Sequence, residues 1–95
     1  MKNLDLKLLI LILVHFDPGM SGPDLVDKVA RARNMKMQSG RVYEWAYHLS
    51  NEVGRVKKDL KDSGLLNYKL GKNADGHTLL PKGKELLQGF FQQIG

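Results

Sequence analysis

The chain has no cysteine. That excludes a disulfide scaffold, a thiolate zinc site and a cysteine nucleophile, and it fits a reducing compartment. The three histidines, His15, His48 and His77, lie far apart and in no ligand spacing, so neither a metal nor a cofactor is expected. A membrane-spanning run is also missing. Leu8 to Val14 is apolar throughout but is closed off by Asp5, Lys7 and His15, whereas a transmembrane helix needs about 20 residues. A secretory signal would need a small-residue cleavage site after such a run, and Phe16-Asp17-Pro18-Gly19 stands there instead. The run therefore reads as a buried helix, and a cytoplasmic location is expected. There is no carboxylate cluster, no Ser/His/Asp set and no glycine-rich phosphate loop after a strand, so no enzyme is expected. Internal repeats, low-complexity segments and linkers are absent as well.

What remains is one small domain spanning residues 1–95. A chain of this size buries roughly 60–70% of the surface it exposes when unfolded, which is enough for one core with little margin. A composition of 42% hydrophobic and 26% charged residues rules out wholesale disorder. The net charge is +5 and is unevenly spread, with net −1 over residues 1–30 and net +6 over residues 31–95. A basic C-terminal two-thirds points toward nucleic acid or another anionic surface.

Periodicity gives the order of elements. A first helix from about Leu4 to His15 stops at Asp17-Pro18-Gly19. Ser21-Gly22-Pro23-Asp24 opens a second, with serine as N-cap and proline in the first turn. Leu25, Val26, Val29 and Ala30 face inward, and Asn34 stops it. Met35 to Gln38 reads as a connector. Trp45, Leu49, Val53, Val56 and Leu60 then recur every three or four residues, joined by Val42 and Ala46, a helical stripe of about five turns. Ser50-Asn51-Glu52 offers cap chemistry for a separate helix. The phase does not slip there, so one helix from about 40 to 63 is favoured, ended by Ser63-Gly64. Beyond Gly64 the period becomes two. Leu66, Tyr68 and Leu70 alternate with polar residues, Lys72 to Gly76 is hairpin-turn chemistry, and His77 to Leu80 returns. Pro81 starts a last helix to about Ile94, apolar at Leu86, Leu87, Phe90, Phe91 and Ile94. The expected fold is mainly α with a small two-stranded β-hairpin.

A basic helix feeding a short hairpin is the layout of a winged helix-turn-helix, with the wing over about residues 65–80 and the C-terminal helix over about 81–94. Opposite the apolar stripe, the third helix carries Tyr47, Asn51, Gly54, Arg55, Lys58 and Lys61, with Asp62 beside them. Asn and Arg make bidentate contacts with adenine and guanine edges, and lysine neutralises phosphates. Gly54 costs about 1 kcal/mol in a helix interior, but on the outward face it lets the backbone approach DNA. Lys69, Lys72, Asn73 and His77 lie on the hairpin. Arg31, Arg33, Lys36 and Arg41 flank the start of the helix, where they can hold the DNA backbone. Trp45 belongs to the apolar stripe and is expected in the core, while Tyr43 stays undecided. For each residue taken alone, a solvated surface is the simpler reading. As a group ahead of a basic hairpin, they point to double-stranded DNA.

Asn51-Glu52-Val53-Gly54-Arg55-Val56-Lys57-Lys58-Asp59-Leu60-Lys61-Asp62-Ser63-Gly64-Leu65-Leu66, followed by Thr78-Leu79-Leu80-Pro81-Lys82-Gly83-Lys84-Glu85-Leu86, resembles a winged-helix domain. It is most similar to the N-terminal DNA-binding domain of Mrr-type restriction proteins. The shared features are the asparagine-valine-glycine helix, the Gly-Leu strand start and the glycine early in the last helix. PadR-like and MarR-like regulators share the last two features, and PadR-like proteins also share an apolar first helix. The similarity covers about residues 4–88. Leu80 departs from it, standing where the pattern usually has threonine. The resemblance implies a DNA-binding function. Mrr-type proteins carry their nuclease on a separate domain, so cleavage does not transfer with it.

The expected function is double-stranded-DNA binding as a small transcriptional regulator, or as an accessory protein of a mobile element or defence system. The alternative is a winged helix used as a protein-interaction adaptor, in which the basic face is incidental. The first and last helices carry more apolar surface than one small core readily encloses. A homodimer is therefore expected, with Leu9, Ile12, Leu13, Leu87, Phe90, Phe91 and Ile94 at its interface.

Overall fold

A computed structural model of the chain describes residues 5–33, 43–70 and 75–94, with the side chains of 43–47 and 94 left out of the description. The described elements run α1 (Leu6–Phe16), α2 (Gly22–Ala32), α3 (Tyr43–Asp62), β1 (Leu66–Lys69), β2 (Asp75–Leu79) and α4 (Pro81–Ile94). The chain is thus mainly α with a two-stranded antiparallel hairpin, an order compatible with a winged-helix layout.

Local chemistry sets the boundaries. The Asp5 carboxylate caps α1 by accepting from the Lys7 amide at 3.4 Å. Asp17-Pro18 then breaks the helix, and Gly19 turns the chain with φ +91°. Ser21 caps α2 by accepting from the Asp24 amide at 3.2 Å. Across residues 43–62, α3 is one helix. It ends on Gly64, where φ is +78°, a left-handed turn that glycine adopts without steric cost. The Gly64 amide donates to the Lys61 carbonyl and the Leu65 amide to the Leu60 carbonyl, the paired bonds of a Schellman cap.

The core lies between the helices and the hairpin. Helix α1 is central, touching α2, α3, α4 and β2, and it buries Leu6, Leu9, Ile10, Leu11 and Val14. Leu25 and Val29 of α2, Leu49, Val53 and Leu60 of α3, Leu66 of β1 and Leu87 of α4 close around it. The apolar excess of α1 is therefore largely absorbed within one chain, contrary to the expectation from sequence. Leu9 and Leu87 are core residues and cannot serve as interface residues. Ile12, Leu13 and Phe91 are half-buried against the core, and Phe90 is half-buried.

In the hairpin, Leu66 pairs with Leu79, Asn67 with Thr78 and Lys69 with Asp75, with a shift of register between Asn67 and Lys69. Leu66 and Tyr68 point inward, Asn67 and Lys69 outward. The inward alternation stops there, because Leu70 is exposed. Met20, between α1 and α2, forms an antiparallel bridge with His77 and so ties the α1–α2 turn to the far strand of the hairpin.

Glycine also places α4. The Leu65 carbonyl accepts from the Leu80 amide at 3.0 Å, and a Cβ on Gly83 would collide with that same carbonyl. The glycine at the third position of α4 lets the helix start directly against the α3–β1 turn.

Candidate nucleic-acid interface

Helix α3 presents two faces of opposite character. On its outward line Asn51, Arg55 and Lys58 are all exposed. At 100° per residue these three positions fall within about one-sixth of the helix circumference. Gly54 is half-buried beside them, and a Cβ there would meet nothing within 4 Å. Asp59 and Asp62 are also exposed, so the C-terminal half of the line carries both signs. Lys69 is exposed on the outward side of β1. These residues are brought together as the sequence implies.

Other candidates are placed differently. Arg31 is exposed and pairs with Asp27 at 2.9 Å. Arg33 reaches Glu52 of α3 at 3.7 Å, so it helps to join α2 to α3. Lys61 turns toward the hairpin: its Nζ donates to the Tyr68 carbonyl at 2.8 Å and lies 4.6 Å from the Tyr68 ring centroid. It is therefore a clasp between α3 and β1 rather than a member of the outward line. Arg41, Lys72 and the side chains of Tyr47, Trp45, Tyr43 and Ile94 lie outside the described residues, as do Lys36 and Asn73.

His77, expected on the wing surface, is fully buried. Its Nδ1 lies 2.9 Å from the Met20 carbonyl and its Nε2 3.1 Å from Lys57 Nζ. Its ring stacks on Tyr68 with centroids 4.8 Å apart. Lys57 is buried with it, and its ammonium also sits 4.9 Å from the Tyr68 ring centroid. Burial pushes the His77 pKa below its usual 6.5. The Met20 hydrogen bond and Asp75 oppose that shift, and Lys57 adds to it. Burial likewise lowers the Lys57 pKa from its usual 10.5, and burial followed by Asp62 raises that of Tyr68 above 10.0. Lys57 is thus turned into the fold, away from the exposed line of α3.

The signal for this joint was present in the sequence. Lys57 is four residues after Val53 and three before Leu60, on the flank of the inward stripe. His77 is two residues before Leu79, on the same side of a strand.

Among the described residues, no group of three or more His, Asp or Glu is placed to hold a metal ion, and no helix is long and apolar enough to cross a membrane. No family model, curated protein or solved structure matches the chain.

Proposed function

We propose that the chain is a double-stranded-DNA-binding winged-helix protein, a small transcriptional regulator or an accessory protein of a mobile element or defence system. The observation that carries this reading is the exposed line Asn51, Arg55 and Lys58, set opposite the core stripe of α3 and beside the outward Lys69 of the hairpin. The B-DNA major groove is about 12 Å wide and admits a helix. A helix lying in it with this line inward brings Arg55 to a guanine edge and Asn51, one turn away, to an adenine edge. Lys58 and Lys69 then meet phosphates, and Gly54 lets the backbone approach.

Fluorescence anisotropy on random duplex DNA at two salt concentrations tests it. Each neutralised phosphate contributes about −0.9 to the slope of log K against log salt. The sequence offers six phosphate candidates, Arg31, Arg33, Lys57, Lys58, Lys69 and Lys72; Lys57 is buried, and a slope beyond about −3 needs more than three of the other five. A flat response, or no binding at about 50 mM salt, removes the DNA reading and favours the protein-interaction adaptor.

A two-fold dimer belongs to the same proposal. Phe16 and Leu86 are exposed. An open groove of about 510 Å³ between α1, the end of α3 and α4 is lined by the accessible apolar residues Leu8, Leu86 and Phe90, with Lys7 and Glu85 among its charged residues. The groove also carries Asp5, and a second copy set around a two-fold axis would cover its apolar lining. Such a dimer sets two copies of α3 on one duplex about 34–36 Å apart, or a multiple of that. A monomer mass by light scattering at tens of micromolar would refute the dimer.

A further inference from the structure

Three parts of the fold meet on the His77 imidazole. The Gly19 amide donates to the His77 carbonyl at 2.7 Å, and the His77 amide donates to the Met20 carbonyl at 3.1 Å. The ring adds its own bond to that same Met20 oxygen, at 2.9 Å. A carbonyl only accepts, so Nδ1 carries the hydrogen. The neutral ring then leaves Nε2 as an acceptor, and Lys57 Nζ donates to it from 3.1 Å. Among the described residues no buried side-chain nitrogen or oxygen lacks a partner, so the joint is complete with one proton on the ring. A second ring proton would set an N–H against an ammonium at the same distance, both of them donors and both cations.

Around the ring, burial and Lys57 oppose the charged form, while the Met20 bond and Asp75 favour it and offset part of that clash. From α3 come Lys57 and Lys61, with their ammonium groups 4.9 and 4.6 Å from the Tyr68 ring centroid. From β1 comes Tyr68. On β2 itself Asp75 is exposed and holds the Gly76 amide at 2.8 Å. From α1, Lys7 and His15 are exposed, and the His15 ring meets Phe16 and Phe91. From α4, Lys82, Lys84 and Glu85 are exposed.

We propose that the Lys57–His77 contact is a proton-operated latch: protonation of His77 breaks it, loosens the hairpin from α3 while the Met20 bridge holds, and weakens binding of duplex DNA. Its last clause rests on the DNA-binding reading. Lys57, Lys61 and His77 act as positioning residues that hold the hairpin beside the outward line of α3. The sign follows from burial, which favours the neutral ring in the folded chain. The folded state binds fewer protons than the unfolded one below about pH 6.5. The stabilisation is complete above that pH and is lost as pH falls through the folded-state value.

Histidine long-range ¹H–¹⁵N spectra of the full chain, from about pH 8 to about pH 5, read both tautomer and titration across the ordinary imidazole range. Amide hydrogen exchange along β1, corrected for intrinsic rates, reads how firmly α3 holds the hairpin, and the Gly19 and His77 amides serve as reference because their bonds do not involve Nε2. The expected result is hydrogen on Nδ1 at high pH, with β1 protection falling in step with His77 protonation while the Gly19, His77 and α1 core amides hold. At half-protonation the apparent duplex affinity falls by up to about twofold, the limit in which the protonated form does not bind. Lys57→Met removes the opposing cation, so His77 titrates at higher pH and its protonation no longer changes the protection of the hairpin. Should that variant not fold, the wild-type titration decides by itself. Hydrogen on Nε2, or β1 protection unchanged through the His77 titration, overturns the latch. The spectra and exchange use no DNA, so a latch that opens in a protein that binds no duplex at any pH removes the DNA reading alone.

Discussion

Lys57 and Lys58 are neighbours in the chain with opposite surroundings. Lys58 is exposed, in line with Asn51 and Arg55. Lys57 is buried against the His77 imidazole and the Tyr68 ring. Residue type does not separate them; helical phase does. An inward lysine can keep its stem in the core while its head finds an acceptor and an aromatic face. Two helical glycines repeat the contrast. Gly83 faces the Leu65 carbonyl, whereas a Cβ on Gly54 would meet open space. On the packed side a small or cationic residue answers a neighbour already in place. On the outward line of α3 the same residue types have no such neighbour to answer.

The largest expected effect is on the packed side. Gly83→Ala places a methyl group against backbone, which cannot step aside as a flexible side chain can. Overpacking of this sort costs about 1–3 kcal/mol and outweighs the roughly 1 kcal/mol that alanine gains in helix propensity. Denaturant unfolding should show the loss, and a variant as stable as wild type would mean that α4 can shift off the α3–β1 turn.

On the outward line, Arg55→Ala should change binding and leave folding alone. An exposed substitution of this kind stays within about 0.5 kcal/mol in stability. If Arg55 reads a guanine, the variant loses about 1–3 kcal/mol on a preferred site and much less on scrambled DNA. Equal losses on both sites would assign the reading element to another part of the fold.

Gly54→Ala sharpens the contrast by splitting stability from binding. With space for a methyl group and no positive φ recorded there, alanine should raise stability by about 0.5–1 kcal/mol. If the α3 backbone approaches DNA, the same methyl group weakens duplex binding. A variant that is both more stable and equally tight on DNA makes Gly54 an ordinary helix position.

Much of the fold was legible in the sequence because its signals are local. The Ser21 cap, the unbroken phase across Ser50, and Gly64 as the left-handed stop each depend on a few neighbouring residues. The His77–Lys57–Tyr68 joint depends on contacts across 20 and 57 positions of chain, and polar residues on an inward face read as breaks in the pattern. The destination of Lys61 was hidden for the same reason, since its partner is a backbone carbonyl on the next element. Leu9 and Leu87 were assigned to an interface because one chain seemed too small to enclose α1. The central position of that helix, touched by four other elements, provides the cover.

The smallest expected effect separates the two neighbouring lysines most directly. Lys58 and Lys69 are exposed, one on the outward line of α3 and one on the outward side of β1, where each can meet a phosphate and has little sequence to read. Replacing either with alanine should weaken preferred and scrambled duplexes alike and make the salt slope shallower by about one. Lys57→Met is the comparison. The Lys57 ammonium is already committed to His77 and Tyr68 inside the fold, so it takes no phosphate itself, and the variant weakens duplex binding through the loosened hairpin with a smaller change of slope than Lys58→Ala. Duplex titrations over a series of salt concentrations measure all three variants on the same scale. A slope that falls by one in Lys57→Met and not in Lys58→Ala would mean that helical phase has been misassigned, and that the buried lysine swings out to the phosphates when DNA arrives.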